Sequence, residues 1–214
     1  ALDEKVSAEI AAALACYYFN QKDARCIFSE YKPFEGAFPG LKERISLCHT
    51  VDQLKLALVS GNAADCMRVI VLGSQEYVIK VPLFPFMHMK NCIMIGTKLD
   101  ASVTLKLGDL GTWSLLGKCM FANLSFFLNE SQIYACVGSF VKVLNCNFTA
   151  HCKLPPLGCT GELNAERCNF TNCKAGGLLC VGPGNMVVDN CTFSGNVRAG
   201  LEVRDNGMLT VRNS

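Results

Sequence analysis

The stretch Met186-Val187-Val188-Asp189-Asn190-Cys191-Thr192-Phe193-Ser194 decides how this chain folds, because near-copies of it precede it. Leu163-Asn164-Ala165-Glu166-Arg167-Cys168-Asn169-Phe170-Thr171 is the nearest copy, and Val141-Lys142-Val143-Leu144-Asn145-Cys146-Asn147-Phe148-Thr149 is the one before that. Their cysteines, Cys146, Cys168 and Cys191, keep an even step of about 22 residues. A further copy begins at Leu209-Thr210-Val211-Arg212-Asn213-Ser214. A second element keeps the same step: Gly177-Leu178-Leu179-Cys180-Val181 returns as Gly200-Leu201-Glu202-Val203-Arg204. Followed backward, Cys119-Met120-Phe121-Ala122-Asn123-Leu124-Ser125-Phe126 matches at one further step. Met87-His88-Met89-Lys90-Asn91-Cys92 matches again, but Asn91 precedes Asn123 by a longer step, which assigns ten extra residues to a loop around Gly108-Asp109-Leu110-Gly111.

Within each copy the apolar positions alternate: Val141 and Val143, Leu163 and Ala165, Met186 and Val188, Leu209 and Val211. A period of two is strand geometry with one face buried. The repeat is too short for a propeller blade or a helix pair, and the Leu-x-x-Leu-x-Leu signature of leucine-rich repeats is missing. Three short strands and three turns fit one unit, so the chain is expected to wind as a parallel β-helix with coils about 4.8 Å apart. The handedness of parallel crossovers makes it right-handed. Equivalent residues then stack. Asn91, Asn123, Asn145, Asn190 and Asn213 form a ladder at a bend, interrupted by Arg167, because Asn tolerates left-handed backbone and its amide can bond the next coil. Cys146, Cys168 and Cys191, and Phe126, Phe148, Phe170 and Phe193, form inward stacks that serve as core.

Composition narrows the function. The 214 residues carry a net charge of +2 with scattered basic residues, which gives no nucleic-acid footprint. No run of eighteen apolar residues exists to span a membrane. The 14 cysteines include no Cys-x-x-Cys, which argues against structural zinc, and the chain is long and strand-rich where disulfide scaffolds are short and loop-rich. Cysteine is therefore read as a small buried hydrophobe in a reducing compartment. The expected location is cytoplasmic, with nuclear as the alternative. Five Asn-x-Ser/Thr sequons, at Asn123, Asn129, Asn147, Asn169 and Asn190, weigh little toward secretion: four come from the repeat, and Asn123 and Asn190 are expected at a buried corner.

An open β-helix end needs a cap. Residues 50–84 are assigned to it and residues 85–214 to the coils. Thr50-Val51-Asp52-Gln53 reads as a capping box opening a helix, with Val51, Leu54 and Leu58 on its apolar face and Gly61 ending it. The strand-like run Val69-Ile70-Val71-Leu72, a turn from Gly73 to Tyr77 and Val78-Ile79 follow. Residues 1–49 form a separate N-terminal segment: a helix over 1–20 with Val6, Ile10, Ala13, Leu14 and Tyr17 on one face, then an irregular connection over 21–49 holding Pro33, Gly36, Pro39 and Gly40. Because the sequence stops inside a strand, either it is a fragment or another molecule covers Leu209–Ser214, by end-to-end self-association or a partner.

These motifs, from "TVDQLKLALVSGN" and "NCIMIGT" to "ERCNFTNCKAGGLLCVG" and "VDNCTFSGNVRAGLEVRD", resemble the pectate-lyase-like right-handed parallel β-helix superfamily. Within it the Cys-rich coils look most like intracellular eukaryotic members, the F-box β-helix proteins and the SHC SH2-domain-binding protein group. The resemblance covers residues 50–214 and concerns fold more than activity. Its enzymatic members use acidic clusters with calcium and an Arg base, or an Asp-Asp pair with Gly-His-Gly, on acidic polysaccharides. This chain has neither Asp-Asp nor Gly-His-Gly. The candidate surface site is Glu166 and Asp189, one coil apart, with Glu202 and Asp205 elsewhere on the perimeter and Arg198 and Arg204 near these carboxylates, placed to neutralise them. Such carboxylates could act as a glycosidase pair or form a solvated ion network, and the second reading is preferred. His88 is expected to point outward; His151, beside Cys152, lacks an orienting third group for nucleophilic chemistry; His49 precedes the capping box. No catalytic, metal-binding or cofactor residue is assigned. The expected function is a non-enzymatic scaffold or adaptor for protein partners. The resemblance implies substrate presentation to a ubiquitin ligase or a role in cell division or germ-cell processes. The alternative is a carbohydrate-binding or polysaccharide-cleaving β-helix.

Overall fold

A computed structural model of the chain describes residues 45–60, 68–73, 75–79, 87–96, 104–107 and 111–214. The helix expected over 1–20 lies outside them, as do Gly61 and most of the loop around Gly108. In chain order the elements are β1 (Ile45–Cys48), α1 (Val51–Ser60), β2 (Arg68–Leu72), β3 (Glu76–Ile79), β4 (Met87–Gly96), β5 (Thr104–Leu107), β6 (Gly111–Ala122), β7 (Ser125–Leu128), β8 (Ser131–Ala135), β9 (Phe140–Leu144), β10 (Asn147–Ala150), β11 (Leu157–Cys159), β12 (Glu162–Glu166), β13 (Asn169–Thr171), β14 (Leu178–Val181), β15 (Asn185–Asp189), β16 (Thr192–Ser194), β17 (Leu201–Arg204) and β18 (Met208–Arg212).

Every fully repeated unit visits three faces in turn. The first face stacks the front half of β4, the front half of β6, then β8, β11, β14 and β17. The second stacks β1, β2, the back halves of β4 and β6, then β9, β12, β15 and β18. The third stacks β3, β5, β7, β10, β13 and β16. All these pairings are parallel, as the repeat requires. The registers fall one repeat apart, with Val141 on Leu163 on Met186 on Leu209, and Leu178 on Leu201.

The interior is built from the predicted stacks. Phe126, Phe148, Phe170 and Phe193 lie one above another, with centroids 4.9, 4.9 and 5.1 Å apart and planes within 9°. Their spacing is that of the coils, so each ring is carried into contact by the backbone ladder itself. Cys146, Cys168 and Cys191 are buried beside them, and each donates its thiol to the carbonyl two residues earlier, Leu144, Glu166 and Asp189, at 3.3 to 3.4 Å. Cysteine suits this corner: it is small enough to stack and can satisfy a carbonyl at the bend.

The residue before each of these cysteines takes a left-handed conformation: Asn145, Arg167 and Asn190 have φ of 51°, 53° and 52°, as do Asn123 at 56° and Asn213 at 49°. The corner ladder is therefore as expected from Asn123 onward. Asn145 Nδ2 donates to Asn123 Oδ1 at 2.9 Å, and Asn213 Nδ2 to Asp189 Oδ1 at 3.1 Å. Asn91 departs from the expectation. It has φ 47°, but Cys92 stands opposite Cys119 and a register shift falls between Lys90 and Cys92. Asn91 therefore sits at the bend between the first and second faces, over Gly117 (φ 63°), with its Oδ1 accepting from Lys118 N at 3.0 Å. In space Met87 faces Trp113 and Cys92 faces Cys119, a shorter step than the one from Asn91 to Asn123 that the motif match gives.

The N-terminal end is more regular than the sequence suggested. Ile45–Cys48, read as part of an irregular connection, is a strand; four residues are too few for their period to stand out. Arg68–Leu72 and Glu76–Ile79, read as parts of a cap, take ordinary places in the second and third faces. The cap is α1. Its capping box is formed: Gln53 N donates to Thr50 Oγ1 at 3.2 Å, and Gln53 Oε1 accepts from Thr50 N at 3.1 Å and His49 N at 2.7 Å. Leu54, Ala57 and Leu58 close the core against Ile70, Leu72 and Tyr77. At the other end of α1, buried Arg68 donates to Ala57 O and Leu58 O at 2.5 and 3.2 Å, supplying both donors and positive charge where a helix terminus lacks them.

Candidate functional site

A β-helix offers its outward columns to other molecules, so the candidate residues are best located by column. On the second face, register sets Val69, Ile93, Met120, Lys142, Asn164, Val187 and Thr210 in one outward column. Val71, Ile95, Ala122, Leu144, Glu166, Asp189 and Arg212 form its neighbour. Both begin apolar and turn polar at β9 and β12.

Glu166 and Asp189 are thus brought together, one coil apart, as expected. Each has its own donors. Lys142, only 8% exposed, meets Glu166 Oε2 at 3.1 Å, and Arg167 meets Oε1 at 3.3 Å. Asp189 Oδ1 accepts from the side-chain amides of Asn190 and Asn213 at 3.2 and 3.1 Å. The stacking distance of about 4.8 Å approaches the separation of a retaining glycosidase pair. However, both carboxylates point into compensating donors, an arrangement that stabilises a strand face.

The other four candidates do not converge on this pair. Glu202 and Arg204 stand on β17, on the first face, and Arg204 Nε and Nη2 both lie 2.6 Å from Glu202 Oε1. Asp205 (φ 51°) occupies the turn between β17 and β18, and Arg198 the exposed bend between β16 and β17. Among the six, Glu202 and Arg204 form one charge pair, Glu166 and Asp189 are stacked neighbours with donors of their own, and Arg198 and Asp205 stand apart from both. Among the described residues, no three His, Cys, Asp or Glu side chains gather as a metal site would require.

The thiols are protected. All eleven described cysteines are free and all but Cys136 are buried. Burial raises Cys92 from 9.0 to about 12 and Cys48, Cys119 and Cys173 to about 11. Cys168 and Cys159 are raised mainly by burial, and Cys191 first by its hydrogen bond with Cys168. A nucleophilic cysteine needs the opposite shift. Cys152 turns away from His151, donating to Ser131 O and Leu154 O at 3.2 and 3.0 Å.

Two features escaped the sequence reading. On the outside of the third face, exposed His151 lies 5.0 Å from Phe127, whose ring is also 6.0 Å from Lys106 Nζ, itself paired to Glu76 at 2.6 Å. Beside this cluster runs a polar rank in which Asn169 donates to Asn147 Oδ1 at 2.8 Å and Asn147 to Ser125 Oγ at 3.3 Å. The repeat motif contained the members of the polar rank, Ser125, Asn147 and Asn169, but their outward alignment required the register. Exposure also corrects one sequon: Asn190 is exposed, not buried, whereas Asn123 is half-buried in its amide ladder. His88 is exposed, as expected.

The winding from residue 117 onward has a counterpart among known families. Residues 117–214 match the family model described as a right handed beta helix region. No curated protein and no solved structure matches the chain.

Proposed function

We propose that this right-handed parallel β-helix is a non-enzymatic scaffold that binds protein partners along its rigid outer surface. The observation that carries this reading is where large apolar side chains stand exposed. Val137 (68%) and Phe140 (36%) mark the corner between the first and second faces. Met208 (61%) continues the Phe140 column three coils on, through Glu162 and Asn185. Apolar side chains fixed on a stiff frame lose little entropy on binding and favour a protein surface over a hydrated sugar. The carbohydrate-directed alternative has less support, since Glu166 and Asp189 are occupied by their own donors.

The finer reading is an adaptor of the kind represented by the F-box β-helix proteins and the SHC SH2-domain-binding protein group, in a reducing compartment. It would present substrates to a ubiquitin ligase or act in cell division or germ-cell processes. Buried, free thiols support the compartment.

Affinity capture from eukaryotic cells tests the function. Proteins retained by the wild type and lost by a Val137→Asp/Phe140→Asp variant of unchanged melting temperature support it. Specific retention on an acidic-glycan array, or turnover of oligogalacturonates, refutes it.

A further inference from the structure

We propose that the bend joining the third face to the first is a docking ridge for an acidic amphipathic helix of a partner protein, laid along the shaft. Successive coils make this bend with residues 151–156, 172–177 and 195–200, which lead from β10 to β11, from β13 to β14 and from β16 to β17. Each coil places one cation there, Lys153, Lys174 and Arg198, and all three are exposed. Among the described residues none of the three has an ion pair or a side-chain hydrogen bond, whereas Lys106, Lys142, Arg167 and Arg204 each sit on a carboxylate. Glu130, at the same bend one coil below Lys153, is a single opposing charge. The ridge therefore carries positive charge that its own residues leave uncompensated, and it invites an acidic partner. Leu154 (49%) and Val197 (75%) stand exposed among the cations and offer that partner apolar contact.

The bends are stacked by the backbone itself. Lys174 N donates to Ala150 O and Val197 N to Cys173 O, both at 3.0 Å. Asn196 ties two coils together: its Oδ1 accepts from Cys173 N at 2.9 Å, and its Nδ2 donates to Phe170 O at 3.1 Å. The cations thus stand on fixed supports, and binding there loses less to ordering than binding on a mobile loop would. Their spacing selects the shape of the partner. Lys153 and Arg198 are two coil steps apart, about 10 Å along the shaft. Carboxylates at i, i+3 and i+7 of a helix lie on one side and span about 10 Å at the helical rise. Three residues on one side of an extended peptide span about 13 Å. An extended chain also finds no edge to join on this flank, because β10, β11, β13 and β14 are each paired on both sides. Leu154 and Val197 are aliphatic and give nucleic-acid bases no platform to stack on.

Fluorescence anisotropy of a labelled model peptide with the wild-type chain provides the test. The probe is a helix-forming peptide with Glu at i, i+3 and i+7 and Leu between them. It should bind at low salt. Lys153→Glu/Lys174→Glu/Arg198→Glu should weaken binding about tenfold with the melting temperature unchanged, since three exposed ion pairs are lost. The same peptide with Gln in place of Glu, or broken by a central proline, should also bind about tenfold more weakly. Absence of binding by the wild type would overturn the proposal, as would undiminished binding by the charge-reversed variant or equal affinity for the Gln or proline peptide. Tighter binding of a single-stranded oligonucleotide or of phosphatidylserine vesicles would overturn it too. Val137→Asp/Phe140→Asp should leave peptide binding unchanged, and its loss there would move the contact to the other corner and refute this one. Should charge reversal unfold the chain, Lys153→Gln/Lys174→Gln/Arg198→Gln decides by the same criterion.

Discussion

Phe148 and Phe170 stack with their ring centroids 4.9 Å apart and their planes 5° from parallel, although they belong to successive coils of the winding. Each is fully buried and has a further ring on its other side, Phe126 and Phe193. Phe148→Ala should cost about 3–5 kcal/mol, because the lost ring leaves a cavity between two coils that the backbone ladder holds at fixed spacing. Phe193→Ala, in the half-buried final ring, should cost roughly half as much. Urea unfolding followed by the emission of Trp113, the single tryptophan, measures both.

The corner conformation predicts a stabilising change. Arg167 holds φ 53° between two asparagines that adopt the same conformation more readily. Arg167→Asn should raise stability by about 1 kcal/mol, since the exposed arginine's pair with Glu166 contributes little in water. Asn145→Ala should lower it by about 1–2 kcal/mol, losing both the amide bond to Asn123 and the side chain suited to left-handed backbone. Thermal melting of the two variants should shift in opposite directions.

Lys142 and Glu166 are expected to behave as a partly buried pair. Glu166→Gln takes the carboxylate from a nearly buried ammonium and should cost about 1–2 kcal/mol, between surface and interior values. Glu166→Gln combined with Lys142→Met should recover most of that loss. A double-mutant cycle in urea reads the coupling, and additive losses would show that the contact carries no energy.

The thiols set an alkaline limit. Cys48, Cys92, Cys119 and Cys173 ionise near 9.0 when unfolded and only at about 11 to 12 when folded. The folded state therefore holds protons that the unfolded state releases. Their contribution is fully present below pH 9 and is lost as pH rises through the folded values. The urea midpoint should be flat from pH 7 to 8.5 and fall steeply above pH 9. At pH 8 a thiol reagent should label Cys136 ahead of the ten buried described cysteines, with all 14 reacting in denaturant. Rapid native labelling of Cys168 or Cys191 would contradict this.

Most of the column was legible in the sequence because a coil imposes its period on residues that must stack. Phe148, Phe170 and Phe193 announced the core, Asn145 and Asn190 the corner, and Thr50 with Gln53 the cap. The register of Asn91 was obscured because β4 carries a bulge and the first bend is made there without a separate turn, so counting along the chain misplaced it. The outward apolar columns escaped for a different reason: Ile93 and Ile95 read as core whichever way they point, and only burial on both sides tells them apart. The six surface candidates could not be grouped beforehand, because position within a repeat reveals the face but not the donors that meet each charge across coils.

The three-sided winding leaves each turn in touch with little beyond the turns above and below it. Inserting or deleting one whole repeat unit in the middle of the shaft would therefore extend or shorten the protein while its remaining layers kept their partners. Length is thus a trait that duplication of a short gene segment could adjust without rebuilding the interior.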